Sequence, residues 1–436
     1  MMTTRRFRPR APLACLPLIL PAFLATTALS RDVRVSPAGL PGDYDRVQSV
    51  LSTLASGDTL TLARGVFDWS RNLADSSVVR LQPGGMPVTR GRIVVRGTRS
   101  GEGSPETILR GATDPKTGRP IRPARGTNAA FRNGVNADRV TLEDLVFENF
   151  ENAIVLIQAD TLTTASPVDL LREGTRGWTL QRLTIRGGPF GIMANGRHQD
   201  LTIRDCDITL SLPPHEKQGP GPRDGSFAIA VRPYPPAYNG LPVNVTIERN
   251  RAVGPVRSGE TEIFGGLILT SRHGRVVGNT VRGWGLGLVV EGDSLTVTGN
   301  VIDHCRIGIV AWSTERLGTG TAHAVLADNS ISHTSRQSSG FLAEFSGTAI
   351  FLAGIQDSRI LANRFNGNAG PDVVFGGLRG TKPSAGNQLL GNGGSVVLSA
   401  AGLKINQISG SEVRVLGERP NPVIPSDTVG VGGGKP

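Results

Sequence analysis

The sequence predicts an all-β fold, a right-handed parallel β-helix in which short coils of chain stack into a solenoid. Three observations support this prediction. A short motif recurs along the chain, its copies keep a constant internal spacing, and the segments between them are rich in Val, Ile and Leu and broken by Gly, Asn and Asp. Short apolar runs bounded by turn residues are typical of strands, and fixed repeats are typical of solenoids.

The repeat is clearest between His273 and Trp312, where "RVVGNTVRGWGLGLVV" is followed by a second copy, "LTVTGNVIDHCRIGIVA". The smallest steps between copies, from Asn279 to Asn300 and from Leu183 to Cys206, set the length of one coil, and larger steps add insertions. One coil of this length holds three short strands and three bends. The marker position of the motif is occupied by Leu145, Leu183, Cys206, Asn250, Asn279, Asn300, Asn329, Asn363 and Asn392.

The repeat resembles that of the pectate-lyase-like superfamily, in particular its branch of parallel β-helix carbohydrate-binding proteins and sugar hydrolases, over about residues 33–415. The resemblance implies that the marker asparagines stack inward at one bend as a ladder. Each side-chain amide would then bond its neighbours about 4.8 Å above and below it. We therefore expect a structural role for these asparagines. Cys206, at the same position, is expected to be buried and inert, and Cys305 lies too far away to pair with it.

The segment "DYDRVQSVLSTLAS" predicts a helix that covers the N-terminal end of the solenoid. Val47, Val50, Leu51 and Leu54 fall on one helical face, with Asp43 as the expected N-cap. The following strands resemble the first coils of secreted β-helix enzymes. A cap of this kind is needed because unpaired sheet edges promote aggregation.

The chain begins with four arginines and an apolar run, "APLACLPLILPAFLATTALS", which predict a secretory signal peptide over residues 1–30. We expect residues 31–415 to form one parallel β-helix domain and residues 416–436 to form a flexible C-terminal tail. These features predict a secreted or periplasmic monomer. The apolar run is too short and too rich in proline for a membrane helix, and no membrane span is predicted elsewhere.

Charge favours an anionic partner. Four of the 47 Lys and Arg residues lie in the predicted signal peptide against none of the 36 Asp and Glu residues, so a net charge of +7 remains in the mature chain. An acidic polysaccharide fits this excess, and an ordinary basic surface is the alternative. The scattered arginines disfavour nucleic-acid binding. The mature chain has two cysteines, without the spacing of a disulfide framework or a zinc site.

A candidate site follows from the strand after each marker. Its fifth position departs from the small and apolar pattern of the first four, and it holds in turn Ile157, Asn195, Arg232, Thr270, Glu291, Trp312 and Ala353. Side chains alternate across a strand, so the second and fourth positions face inward and the fifth faces outward. Stacked coils would align the fifth positions in one file, with Arg232 and Glu291 about 10 Å apart.

Insertions surround this file. Three of them leave the coil at the same point, after Cys206, Asn250 and Asn329, and predict one wall of a groove. The first insertion carries His215, Glu216 and Lys217. The predicted catalytic residues are Glu291, Arg232, His273 and Lys217, and the predicted substrate-binding residues are Trp312, Arg272, Thr270 and Asn195.

These residue types favour a protein that binds and processes an extracellular, uronate-containing polysaccharide. Trp312 would stack on a sugar, Arg232 would neutralise the uronate carboxylate, and Glu291 would transfer a proton. Lyase or epimerase chemistry needs such a cation and a base, whereas hydrolysis needs two carboxylates on opposite sides of the bond. Hydrolysis would pair Glu291 with Asp224 or Glu262, and it is the less favoured reaction.

The alternatives are a non-catalytic carbohydrate-binding module and a structural or adhesion protein, in which Arg232 and Glu291 form no more than a solvated surface pair. The sequence assigns no metal ligands. Calcium is an option as a cofactor, although no acidic cluster marks a site for it.

Overall fold

The computed structural model describes residues 30–38, 42–69, 86–121, 129–133, 137–157, 174–210, 226–233, 240–254, 265–313, 321–338, 342–377, 384–399, 404–409 and 412–416. The predicted signal peptide and nearly all of the predicted C-terminal tail lie outside these residues, and the domain boundaries stay predictions. None of the helices in these ranges has the length and apolar character that crossing a membrane requires.

The described strands form three parallel sheets, which the chain visits in a constant order. Sheet 1 contains Asp32–Val35, Thr59–Leu62, Val94–Arg96, Thr141–Glu143, Thr179–Gln181, Thr202–Arg204, Thr246–Glu248, Arg275–Val277, Thr296–Thr298, Val325–Ala327, Arg359–Leu361, Ala385–Leu390 and Lys404–Ser409. Sheet 2 contains Gly65–Asp68, Thr107–Arg110, Leu145–Glu148, Thr184–Arg186, Asp207–Thr209, Arg251–Val253, Thr280–Arg282, Val301–Asp303, Ser330–Ser332 and Arg364–Asn366. Sheet 3 contains Met86–Val88, Ala129–Asn133, Asn152–Ile157, Phe190–Asn195, Phe227–Arg232, Gly265–Thr270, Leu286–Glu291, Ile307–Trp312, Ile350–Ala353, Val373–Gly376, Ser395–Ser399 and Glu412–Leu416.

From Thr59 to Gly376 each coil contributes one strand to each sheet, and each strand pairs in parallel with its equivalent one coil away. Beyond Gly376 the described strands belong to sheets 1 and 3. Thr246–Glu248, Arg251–Val253 and Gly265–Thr270, for example, make up one coil. Each of these strands pairs with its equivalent in the next coil, as in the pairing of Arg251 with Thr280. The predicted right-handed parallel β-helix is thus confirmed.

A continuous apolar core fills the space between the sheets. On sheet 3 the second and fourth positions of each strand face this core, as predicted, and Leu288 and Val290 are among its fully buried members. Burial of each such side chain contributes roughly 1.5–3 kcal/mol. Near the N-terminal end the interior is aromatic, with edge-to-face contacts that link Trp69, Phe131 and Phe147.

The predicted asparagine ladder is present at the bend between sheets 1 and 2. In each of five successive contacts, the side-chain Nδ2 of one asparagine donates to Oδ1 of the asparagine one coil on, over 2.8–3.0 Å. The same Oδ1 also accepts the backbone N–H of the preceding asparagine. All six asparagines are buried, so these bonds satisfy polar groups that no solvent reaches.

The residue before each marker adopts a left-handed backbone conformation in every coil from Asp144 to Gly391. These residues are Asp144, Arg182, Asp205, Arg249, Gly278, Gly299, Asp328, Ala362 and Gly391. A left-handed residue turns the chain sharply, and it costs about 1–2 kcal/mol for a residue with a Cβ. The left-handed residue is kept from coil to coil because this bend directs each ladder side chain inward.

The predicted N-terminal capping helix runs from Asp43 to Thr53 and buries Val47 and Leu51 against the end strands of sheets 2 and 3. The predicted N-cap is wrong in detail. Gly42 occupies that position, and no side chain caps the helix. Asp43 is instead the first helical residue, and its buried carboxylate accepts the backbone N–H groups of Ala38 and Asp68.

Both cysteines of the described chain are free, as predicted, and both are buried, which was predicted for Cys206. Burial raises the pKa of each thiol to about 12. Neither thiol is therefore a reactive thiolate near neutral pH.

Ion pairs between successive coils neutralise part of the positive charge on the outside of sheets 1 and 2. Arg182 pairs with Glu143 at 2.7 Å, and Arg251 pairs with Asp207 at 2.7 Å. The Arg251–Asp207 pair is exposed and contributes little to stability, whereas the Arg182–Glu143 pair is half-buried. Their effect is to reduce the net charge that these two faces present.

Replacement of Asn300 by Leu is expected to destabilise the fold strongly. The change removes the Oδ1 that accepts both the backbone N–H and the side-chain amide of Asn279, and it removes the side-chain donor to the Val276 carbonyl. Asn329 Oδ1 loses one of its two donors and keeps the backbone N–H of residue 300. Two to three unsatisfied buried groups would lower the free energy of unfolding by about 3–5 kcal/mol. Urea denaturation measures the loss.

The matched control is Asn366→Leu. Asn366 is exposed on sheet 2 and is not part of the ladder. A change of about 0.5 kcal/mol or less is expected there. Equal losses in the two variants would contradict a special role for the ladder.

Candidate functional site

The predicted file of fifth-position side chains lies on the outer face of sheet 3. We define the polar file as Asn195, Arg232, Thr270, Glu291 and Trp312. Direct pairing aligns Asn195 with Arg232, and Thr270 with Glu291. Val231 pairs with Leu269, which places Arg232 beside Thr270. Val290 pairs with Ala311, which places Glu291 beside Trp312. Five residues from widely separated parts of the chain therefore follow one line across the coils.

Burial divides the polar file into two classes. Asn195, Thr270 and Glu291 retain 6% of their surface or less, although they face away from the core. Arg232 and Trp312 are partly exposed. A guanidinium and an indole are thus accessible at the surface, with a shielded carboxylate between them in the file.

The Arg232 side chain is held in position from two sides. Its Nε donates to Asn195 Oδ1 over 3.3 Å, and its guanidinium carbon lies 5.7 Å from the centre of the Phe227 ring. Phe227 begins the strand that Arg232 ends, so the side chain runs back along its own strand past the small Ala230. A guanidinium oriented in this way loses little entropy on binding a carboxylate.

Glu291 is followed by a bend that only glycine can form. Gly292 has φ +130°, and a Cβ there would lie 1.9 Å from the Ser271 carbonyl oxygen. Gly196, which follows Asn195, has the same φ. In these two coils a glycine turn therefore follows the polar file and leads the chain toward sheet 1.

A second apolar cluster borders the polar file on the outer face of sheet 3. It includes Val289 and Val310, which occupy third positions, and Trp312 packs against it. Leu342 and Phe345 cover the cluster, and Phe345 lies 4.2 Å from Phe351 between ring centres. The insertion after Asn329 thus folds back over the outer face of sheet 3, beside the polar file.

Arg272 and His273 lie at the turn that follows Thr270, and both are exposed. His273 has a left-handed backbone, with φ 54°, and its N–H donates to the Asp293 carbonyl. The structure therefore brings these two residues to the rim beyond the polar file, on the turn and not on the strand. Their predicted roles stay predictions.

Several predicted residues cannot be placed. Lys217, His215, Glu216 and Asp224 of the first insertion, and Glu262 of the second, lie outside the described residues. The flanking strands show that both insertions connect sheet 2 to sheet 3, as does the third. All three therefore leave the solenoid along the same edge.

The prediction from sequence missed an acid–imidazole pair on the same rim. His323 Nδ1 lies 2.8 Å from Asp293 Oδ1. The hydrogen bond from His323 lowers the pKa of Asp293, and the hydrogen bond to Asp293 raises the pKa of His323. The pair could have been found from the repeat, because His273, Ser294 and His323 occupy the same turn position in successive coils. Asp293 directly precedes Ser294 in that register.

The His323–Asp293 pair predicts a specific pH dependence. Because the folded state raises the pKa of His323, its contribution to stability is present below about pH 6.5 and is lost as pH rises through the higher, folded-state pKa. The Asp293→Asn variant should lower the pKa of His323 in an NMR titration.

Asp328→Asn is the control for this titration, because Asp328 is an exposed carboxylate at another left-handed turn position. It should leave the His323 titration unchanged. A His323 pKa that is insensitive to Asp293→Asn would rule out the coupling.

No protein-family model matches the chain, and no curated protein matches it in sequence. Solved structures do match. The A-module of the mannuronan C-5 epimerase AlgE4 from Azotobacter vinelandii superposes with a TM-score of 0.51 at 15% identity, over 90% of this chain and 98% of that one. The Dettilon tailspike protein gp208 gives 0.51 at 12% identity, over 85% of this chain and 64% of that one. The surface adhesin PfbA of Streptococcus pneumoniae gives 0.49 at 10% identity, over 86% and 94%.

Sequence identities as low as these show a common fold and nothing finer. The three long parallel sheets and the one short N-terminal helix agree with that fold. The chain is therefore a right-handed parallel β-helix protein.

Proposed function

We propose that this protein is exported and that it binds and processes an extracellular, uronate-containing polysaccharide by lyase or epimerase chemistry. The observation that carries the proposal is the polar file, in which a positioned guanidinium, a shielded carboxylate and an accessible indole follow one another across the coils. The A-module of a mannuronan C-5 epimerase has the same fold, and its substrate class is consistent with this proposal.

Each side chain has a distinct role in the proposal. Arg232 binds the uronate carboxylate, and its positive charge stabilises the negative charge that develops when the adjacent carbon loses a proton. Trp312 stacks on a neighbouring sugar ring. Asn195 orients the Arg232 guanidinium through its Oδ1, and Thr270 borders the site between Arg232 and Glu291.

Proton transfer needs a second group beside Arg232. Glu291 lies two strands from Arg232, roughly 10 Å along the file, so it reaches the proton only if the sugar ring extends from Arg232 toward it. His273, Arg272 and Lys217 are the further candidates for the base. Lyase and epimerase reactions share removal of this proton and differ in whether the leaving group departs or a proton returns.

Hydrolysis receives less support. It requires two carboxyl groups on opposite sides of the scissile bond. Within the polar file Glu291 supplies one carboxyl group. The residues that would supply the other, Asp224 and Glu262, are in insertions outside the described residues.

Non-catalytic binding is the second candidate. The packing of Trp312 against the outer apolar cluster favours it, because an indole fixed in this way presents one constant face for stacking. A carbohydrate-binding or adhesion protein would use Arg232 and Trp312 for affinity and would release no product.

The decisive experiment incubates the mature protein with alginate, pectate and glycosaminoglycans. Ultraviolet absorbance detects the unsaturated uronate that a lyase forms, and proton NMR detects inversion at C-5 by an epimerase. Either product supports the proposal. Saturable binding without product favours the non-catalytic alternative, and failure to bind any of these polymers contradicts both.

Arg232→Ala is expected to weaken binding of the responsive polymer about 10- to 100-fold, the usual effect of losing a hydrogen bond to a charged group. Trp312→Ala should weaken it through loss of stacking. Calorimetric titration measures both effects, and unfolding curves should show that the rod stays folded.

Arg251→Ala is the matched control, because Arg251 lies in an ion pair with Asp207 on the outside of sheet 2. Binding should be unaffected by this change. If Arg232→Ala and Trp312→Ala both leave the affinity unchanged, the polar file is not the binding site.

A further inference from the structure

A left-handed turn position after sheet 2 forms a second file on the outside of the solenoid. It is occupied in successive coils by Gly283, His304, His333 and Gly367, all with positive φ. Two histidines are therefore adjacent along the rod, with a glycine on either side. Because glycine has no side chain, nothing from the file itself crowds the two rings on their outer sides.

The two imidazoles converge on one carboxylate. Nδ1 of His304 lies 2.7 Å from Asp303 Oδ2, and Nδ1 of His333 lies 2.9 Å from Asp303 Oδ1. The ring centres are 5.0 Å apart at an interplanar angle of 30°. The three ligand-type atoms all fall within 4.8 Å of one another. Asp303 pairs with Ser332 of the next coil, and each of these residues is followed by a histidine. Stacking of the two coils therefore places His304 and His333 side by side.

We propose that Asp303, His304 and His333 form a binding site for a divalent transition-metal ion of the Zn²⁺ class. Two imidazoles and a carboxylate are the ligand types that Zn²⁺, Ni²⁺ and Cu²⁺ favour. The fourth position of a tetrahedral ion would be taken by water. This site lies on the outside of sheet 2, away from the polar file of sheet 3.

Metal binding requires the side chains to adjust. With metal–ligand bonds of about 2.0–2.2 Å, the ligand atoms of a tetrahedral site lie about 3.3 Å apart. The two Nδ1–carboxylate distances would open by roughly half an ångström, and the two imidazole nitrogens, which lie within 4.8 Å of each other, would approach the same separation. The His304 and His333 side chains are 47% and 52% exposed, so rotation about their χ angles can supply this movement.

Two further groups contact the carboxylate. Ser332 Oγ donates to Asp303 Oδ1 over 2.9 Å, which orients the carboxylate in the way that outer hydrogen bonds orient metal ligands. Arg282 Nε lies 3.6 Å from Oδ2, and its positive charge opposes a cation. Because its side chain is 57% exposed, Arg282 can turn into solvent when the metal binds.

The location suggests what bound metal would do. His333 is the last residue before the insertion that carries Leu342 and Phe345 onto sheet 3. Thr334 Oγ1 donates to the Gly347 carbonyl and closes the base of this insertion. An ion held by His304 and His333 would fix that base to the preceding coil.

The test measures Zn²⁺ binding to chelator-treated, full-length protein by isothermal titration calorimetry, with Co²⁺ absorption as a check on imidazole coordination. The variants are His304→Gly and His333→Gly, which copy the residue of the neighbouring coils. Loss of an outer partner of a metal ligand typically costs about 10- to 100-fold in affinity, so loss of a ligand should cost at least as much. Zn²⁺ should also raise the melting temperature of the unsubstituted protein and not that of the variants.

The matched control is His323→Gly. His323 is also a left-handed turn residue bonded through Nδ1 to an aspartate, and Gly386 occupies the same file two coils on. It should retain full Zn²⁺ affinity. Circular dichroism without metal verifies that all three variants fold. The proposal is overturned if the protein shows no saturable Zn²⁺ binding, or if His304→Gly and His333→Gly leave the affinity unchanged.

Discussion

The rest of the structure depends on the in-register stacking of coils, and the buried asparagine ladder enforces that register. Each ladder oxygen after the first accepts both the side-chain amide and the backbone N–H of the preceding asparagine, as Asn300 does for Asn279. Slipping one coil by a single residue would break both bonds and leave the groups buried without partners. The polar file and the pair of stacked histidines are consequences of this constraint, because both arise where equivalent positions superpose.

Much of the fold could be predicted because repetition is visible in the chain. The spacing of Asn279 and Asn300 set the coil length, and the alternation in "GLGLVV" separated inward from outward positions. The same counting predicted that Arg232 and Glu291 share a file. The error at Asp43 has a local cause. An aspartate before an amphipathic segment resembles an N-cap, but here its carboxylate bonds the backbone of Ala38 and Asp68.

The features that were missed depend on distances between coils of unequal length. His304 and His333 are equivalent only once the register of Val301–Asp303 with Ser330–Ser332 is known. His323 and Asp293 likewise lie in neighbouring coils, and the chain between them is longer than the shortest coil. Sequence patterns place a residue on a turn, but they do not determine which carboxylate its side chain meets.

The ladder also shows how an array of this kind can begin and end. Its bonds all run from an earlier asparagine to a later one, and backbone groups complete both ends. The Cys206 N–H donates to Asn250 Oδ1, and Asn392 donates to the carbonyl oxygens of Ile360 and Leu390. Neither terminus requires a specialised side chain. Duplication or deletion of a whole coil would therefore keep every amide satisfied, and the rod can change in length over evolution without redesign of its interior.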